Sequence, residues 1–301
     1  MVVDDQTLAP VSVIIPAYNA AATIRRALAS VAGQTVRPRQ IIVVDDGSQD
    51  ETVSLARETS TLLGLTDVQI ITQSNKGAGA ARNRALSEAR YDFVAFLDAD
   101  DEWLPTKLEK SLSRHAARPL RLVAHNGWVV KNGEERYLDI AGRVRVMAHD
   151  PLHGLYRRGS ISTSSVVARR QCVLDAGGFD ETLRTGQDFD LWLKMLGSPS
   201  AAYEVFDEPL TRYHVADTGI TGNTARRLDN TLRIAVRHAP RLRRETGRFA
   251  ASLWFRILAV HVEAIASFAR RGNYVAVLGT LVQLPIRMVT STWLVLTGGA
   301  R

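Results

Sequence analysis

Four short apolar runs in the first hundred residues, each followed by a helical pattern, constrain this chain more than any other feature. They are Val11-Ser12-Val13-Ile14-Ile15, Ile41-Ile42-Val43-Val44, Val68-Gln69-Ile70-Ile71 and Phe93-Val94-Ala95-Phe96-Leu97. A strand with one wet face alternates apolar and polar residues. These runs are nearly continuous, so both faces of their sheet must be covered. Helical patterns over about residues 20–32, 48–63 and 78–89 separate them. Asn19 reads as the cap of the first helix and Gly33 as its stop, while Ser48 with Glu51 reads as a capping box for the second. Such alternation builds an α/β fold around a mostly parallel sheet with helices on both faces.

The rhythm changes after residue 118. Lys131-Asn132-Gly133-Glu134 between two short β-like runs predicts a type I′ hairpin. Residues 164–168 and 203–206 read as strands. Phe189, Trp192, Leu193 and Leu196 recur at helical spacing and mark a helix with one buried face. From about Thr224 the chain reads as helical, with breaks at Pro240, Gly272 and Pro285.

In an open α/β sheet, ligands bind beyond the carboxyl ends of the strands. Those ends carry Pro16-Ala17-Tyr18-Asn19, Asp45-Asp46-Gly47-Ser48, Asn75-Lys76-Gly77-Ala78-Gly79 and Asp98-Ala99-Asp100-Asp101. Two acid clusters, a lysine and glycines at one edge suit a phosphorylated ligand held through a divalent metal. Residues two apart on extended chain face the same way, so Asp98 and Asp100 converge, with Mg²⁺ or Mn²⁺ as the fitting hard cation. Asp101 and Glu102 read instead as acids favouring the dipole of the next helix. At most one of Asp45 and Asp46 faces a ligand, where it would accept from a base or ribose. Tyr18 fits either base stacking or core. Arg82 fits either a phosphate contact or a solvated helix position.

Taken together and in order, these segments resemble a family 2 glycosyltransferase. They are Val11 to Asn19, Val43-Val44-Asp45-Asp46-Gly47-Ser48, Asn75-Lys76-Gly77 with Ala81-Arg82-Asn83, and Phe96-Leu97-Asp98-Ala99-Asp100-Asp101. The resemblance covers about residues 10–215. It implies the GT-A fold and an inverting, metal-dependent transfer of sugar from a nucleotide-diphosphate sugar to a glycan or lipid-linked hydroxyl. It implies that Pro16, Ala17, Tyr18, Asn19, Lys76, Gly77, Arg82 and Ala99 line the donor site, with Tyr18 at the base. It places Asp46 on the base or ribose, Asp98 on the ribose or metal, and Asp100 on the metal (Mn²⁺ or Mg²⁺). Gly186-Gln187-Asp188-Phe189-Asp190 resembles the acceptor segment, which assigns the general base to Asp188, with Gln187 where relatives carry an acid. Helical periodicity alone does not choose between Asp188 and Asp190. His214 matches a histidine near the donor phosphates. The implied organisation is a donor half over 1–118, an acceptor half over 119–223 and a helical extension over 224–301. A sugar-nucleotide pyrophosphorylase, or a silent membrane- or polysaccharide-binding module, is the rival reading.

The net charge of +7 is unevenly placed: residues 225–301 hold 13 Arg, no Lys and 3 acids, leaving −3 on residues 1–224. A nucleic-acid footprint over the main domain is therefore not expected. One cysteine excludes a disulfide framework, and Met1 to Asp5 lacks a signal-peptide pattern. The expected location is cytoplasmic, peripheral at the inner face of the cell membrane. Trp254, Ile257, Leu258, Ile265 and Phe268 form an apolar stripe, with Arg256, Glu263 and Arg270 opposite and an arginine cluster before it. That suits an anionic membrane surface, packing on the domain, or a homodimer contact.

Overall fold

The computed structural model describes residues 8–145, 151–159, 161–196, 202–215 and 224–299. The four apolar runs form β1 (Ala9–Ala17), β2 (Pro38–Asp45), β3 (Val68–Thr72) and β4 (Phe93–Phe96), joined by α1 (Ile24–Ala32), α2 (Thr52–Leu62) and α3 (Ala78–Glu88). β1 runs parallel to β2 and β4, and β2 parallel to β3. Ile14, Ile42 and Val44 enter one apolar core, while their neighbours Val13, Ile15, Ile41 and Val43 enter the core on the other face. Burial on both faces is why these strands carry almost no polar residue.

Two helix starts differ from expectation. α1 begins at Ile24 because Asn19 adopts a left-handed φ of 48° and accepts from the Gln49 N–H at 2.9 Å. α2 begins at Thr52 with Glu51 at its N-cap. Ser48 does not cap it, since its Oγ accepts from the Asn19 N–H at 2.8 Å. The two residues latch the ends of β1 and β2 together.

The second half adds β5 (Glu102–Trp103), α4 (Lys107–Ala117), β6 (Leu122–Lys131), β7 (Glu134–Leu138), α5 (Ile140–Arg145), α6 (Pro151–Arg158), β8 (Val167–Arg169), α7 (Arg170–Asp175), α8 (Gln187–Leu196) and β9 (Tyr203–His214). The sheet order is β3-β2-β1-β4-β8-β6-β9-β5, with β7 on β6. β6 and β9 are parallel, whereas β4–β8, β6–β8, β6–β7 and β5–β9 are antiparallel. This is a mixed, Rossmann-like core. Asn132 and Gly133 both have positive φ, as a type I′ turn requires. The strand expected over 164–168 is shorter, because Thr163–Ser165 form a 3-10 turn ahead of β8.

The C-terminal region is α9 (Thr224–Thr246), α10 (Ala250–Arg270) and α11 (Tyr274–Thr297). Gly272 separates two helices as expected, but Pro240 and Pro285 lie inside α9 and α11. A helical proline removes one hydrogen bond and bends the axis without ending the helix where packing holds both sides. Ala239 and Leu242 flank Pro240 in the core, and Leu284 and Met288 pack beside Pro285. Ile234, Ala235, Leu242, Leu253 and Ile257 join the same core as Phe96 and Trp192. The apolar stripe of α10 was misplaced by periodicity: Leu253, Ile257, Val260, His261 and Ala264 are buried, while Trp254 and Leu258 are about half exposed. Arg256 lies on the inner side, its guanidinium 4.5 Å from the Phe189 ring centroid and donating to the Arg157 carbonyl at 3.0 Å.

Candidate active site

The carboxyl ends of β1, β2 and β4 and the far end of β9 meet at one edge. Pro16 and Ala17 are buried in β1, and the Ala17 carbonyl accepts from the Asp46 N–H at 2.8 Å. Tyr18 follows at the lip, half exposed, which fits stacking rather than core. Asp46 is buried and organises the next loop: its Oδ1 accepts from Gln73 Nε2 and the Lys76 N–H, and its Oδ2 from the Gly77 N–H, at 2.7–2.8 Å. A carboxylate has about four acceptor positions, so this leaves roughly one for a ligand. Asp45 instead accepts from the Ser48 N–H.

Gly77 opens α3 with φ +97°, and a Cβ there would lie 2.9 Å from Nη1 of Arg184. Arg184 was not singled out in the sequence. It is exposed, and only its proximity to this loop across about a hundred residues reveals it. Lys76 is also exposed beside the loop.

Arg82 is neither solvated nor free. Its side chain is 7% exposed and pairs with Asp98 at 2.5 Å, over the Phe179 ring. Asp98 is also held through its backbone, its N–H donating to Ser164 Oγ at 3.0 Å. The Ser164 hydroxyl donates in turn to Asp101 at 2.5 Å, and Trp103 Nε1 donates to the Ser164 carbonyl at 2.7 Å. Asp101 and Glu102 therefore do not serve a helix dipole, since α4 starts only at Lys107. Asp101 is buried, and burial, with the charges of Asp98 and Asp100, raises its pKa well above the usual carboxylate range. Glu102 lies in β5 against Arg212.

Ala99 is buried, and its neighbour Asp100 is exposed at the edge, with Arg26 donating to its carbonyl at 2.7 Å. Partial desolvation first, and the charge of Asp98 second, raise the Asp100 pKa despite Arg26 and Arg82. Residues 98–101 form a turn, the Asp101 N–H donating to the Asp98 carbonyl at 3.0 Å, so the extended alternation expected to align Asp98 and Asp100 is absent. Both acids still lie at this edge, where they would share a hard cation. Among the described residues no three His, Cys, Asp or Glu side chains form a metal cage, so phosphate or water oxygens would have to complete the shell. His214 ends β9 with Nε2 3.5 Å from Glu102, and burial, then Arg26, lowers its pKa.

Asp188 sits in the first turn of α8, partly exposed. Its Oδ2 accepts from Thr163 Oγ1 at 3.0 Å and its Oδ1 from the Phe189 N–H at 2.8 Å. The Thr163–Ser165 turn thus touches both acid segments, Thr163 on Asp188 and Ser164 on Asp98 and Asp101. Asp190, two residues on, is different in kind. It is wholly buried, bound by Arg237, His238 and Lys194. Gln187 is buried too, its Cγ near where a Gly79 Cβ would lie.

A Rossmann-like mixed sheet with Asp98 and Asp100 at its carboxyl edge, and a third carboxylate, Asp188, joined to that edge through the Thr163–Ser165 turn, has the frame of a GT-A protein. The profile described as glycosyl transferase family 2 matches residues 12–152. An uncharacterised protein of Mycobacterium tuberculosis is 32% identical over 81% of each chain. The amylovoran biosynthesis glycosyltransferase AmsB of Erwinia amylovora is 30% identical over 68% of this chain and 69% of its own. The mannosyltransferase PcManGT of Pyrobaculum calidifontis, solved with GDP-Man and Mn²⁺, superposes with a TM-score of 0.58 at 19% identity, covering 95% of this chain and 87% of that one. The chain belongs to glycosyl transferase family 2.

Proposed function

We propose that this protein is an inverting glycosyltransferase that moves a sugar from a nucleotide-diphosphate sugar to a hydroxyl of a glycan or lipid-linked acceptor. The observation that carries the reading is the shared Thr163–Ser165 turn, which ties Asp188 to the strand end bearing Asp98 and Asp100. An acceptor base and a donor-diphosphate site held by one turn suit a displacement in which both must be in register.

In this reading Tyr18 lies against the base, and Asp46 shapes the Lys76–Gly77 loop around the nucleotide. Asp98, oriented by Arg82, and Asp100 would hold Mn²⁺ or Mg²⁺, as the Mn²⁺ in the mannosyltransferase suggests. Such an ion would supply charge neutralisation for the departing diphosphate. Asp188 takes the proton from the acceptor hydroxyl as that oxygen attacks the anomeric carbon. The bond from that carbon to the diphosphate oxygen breaks, and the nucleoside diphosphate leaves with the electron pair. Attack opposite the leaving group inverts the anomeric centre. Thr163 orients the Asp188 carboxylate, and His214, kept neutral near pH 7 by its surroundings, stands on the donor side.

Thermal denaturation against a panel of nucleotide sugars, each with and without Mn²⁺, tests the reading. At least one pair should raise the Tm only when the metal is present, since a ligand binding the native state must stabilise it. No shift from any pair would refute it.

A further inference from the structure

α11 is apolar around most of its circumference, yet its apolar side is not the one it buries. Thr280, Ser291 and Val295 face the protein. Val275, Leu278, Val282, Ile286, Val289 and Trp293 lie opposite, spaced three or four residues apart and each more than half exposed. The only charged residue of this helix, Arg287, turns away from that stripe to pair with Asp229 at 2.9 Å. α10 extends the surface: Trp254, Phe255, Leu258 and Val262 are exposed, and Trp254 Nε1 donates to Thr292 of α11 at 2.9 Å. Contiguous apolar surface of this kind marks a contact site.

The rim decides what the contact is. Arg243, Arg244 and Arg248 are exposed just before α10, against one acid, Glu245, and Arg270 and Arg271 are exposed at the turn into α11. None of these five makes an ion pair among the described residues. Beside α11 a cleft of about 370 Å³ is lined by Arg233, Arg237 and Arg287 against one acid, Asp229, with Leu232 and Val236. Arg287 Nη1 is buried there without a hydrogen-bond partner. Two copies meeting on this face would bring arginine clusters together, whereas an anionic lipid surface offsets them.

We propose that the α10–α11 hairpin lies on an anionic bilayer, with its apolar stripe in the acyl boundary, its arginines on the phosphates and the cleft open to a lipid headgroup. At about 1.5 Å per residue α11 is some 36 Å long, enough to span a hydrocarbon core. Its inner face, however, is committed to the protein core, and arginines stand at both ends of the hairpin. The helix therefore lies in the plane of the interface. Exposed Tyr274 and Trp293, near opposite ends of α11, suit headgroup depth. This inference stands independently of the sugar-transfer reading.

The test is co-sedimentation of the full chain with phosphatidylcholine vesicles, with and without phosphatidylglycerol. The protein should pellet with the anionic vesicles and stay largely in solution with the neutral ones. Val282→Glu with Val289→Glu should abolish pelleting without lowering the Tm, because both side chains are exposed. Arg243→Glu with Arg244→Glu should weaken partitioning at least about tenfold. Equal partitioning to both vesicle types, or no loss in the Val282/Val289 variant, would overturn the proposal. So would a dimer by light scattering that this variant dissociates while the wild type fails to pellet.

Discussion

Asp190→Asn separates a structural carboxylate from the proposed base, Asp188, two residues away. The Asp190 Oδ1 lies 2.8 Å from His238 Nε2 and 3.0 Å from Arg237 Nη1, and Oδ2 lies 2.8 Å from Lys194 Nζ. The side chain is fully buried, and this cluster fastens α8 to α9. Asparagine keeps one acceptor but turns an NH₂ group towards cations and leaves their charge uncompensated. Breaking such a buried pair costs about 3–5 kcal/mol. With an unfolding entropy of about 2.1 cal/mol/K per residue over 301 residues, the Tm should fall by about 5–8 °C. Burial would raise the Asp190 pKa, but the His238 hydrogen bond and the Lys194 contact outweigh it and hold the carboxyl well below the usual range. Its stabilisation is therefore present above the ordinary carboxylate pKa of about 3.9 and is lost as pH falls below that. Calorimetry from neutral pH down to acid should show the Tm gap between wild type and variant closing at the acid end. A variant with wild-type Tm at neutral pH, but with transfer abolished, would refute this assignment and place Asp190 at the substrate.

Three further outcomes follow from the same geometry. Asp100→Ala should abolish the Tm increase given by nucleoside diphosphate with Mn²⁺ while leaving the apo Tm nearly unchanged, because the side chain is at the surface; an undiminished ligand shift would contradict its role. Lys107 is fully buried over the Trp103 ring, and burial drives its pKa well below the ordinary lysine value. Wild-type stability should thus rise with pH until the unfolded lysine also loses its proton, and Lys107→Met should be more stable at neutral pH with a flatter alkaline profile in urea titrations. The Val166 carbonyl it contacts keeps the Phe96 N–H as donor. Ser164→Ala leaves the Asp98 N–H and the Asp101 carboxyl without their shared partner, and should cost about 1–3 kcal/mol in a urea melt.

The first half of the fold was legible because its strands are buried on both faces. That makes Val11 to Ile15 and Phe93 to Leu97 continuous apolar runs whose ends are easy to see. Asp98 and Asp100 stood out for the same reason, as acids directly after such a run. What the sequence hid are contacts across long separations. Arg82 fitted a phosphate contact and a solvated helix position equally well until its pairing with Asp98 was visible, and nothing local marks Ser164 as the bridge to Asp101. Asp188 and Asp190 were inseparable by period, since only the position of α9 buries one of them. The face of α10 was misjudged because that helix is apolar around most of its circumference, where periodicity carries little information. Pro240 and Pro285 read as breaks because local propensity cannot register the packing that carries a helix past them.

The central claim, that Asp188 is the base in a sugar transfer from a nucleotide-diphosphate donor, is tested most directly by single-turnover transfer. Wild type and Asp188→Asn would be compared with the donor and metal chosen by thermal shift. A positioned base contributes about 10²–10⁴-fold. The variant should lose acceptor-dependent release of nucleoside diphosphate by about that factor while keeping the ligand-induced Tm shift. Release at the wild-type rate from Asp188→Asn would contradict the account.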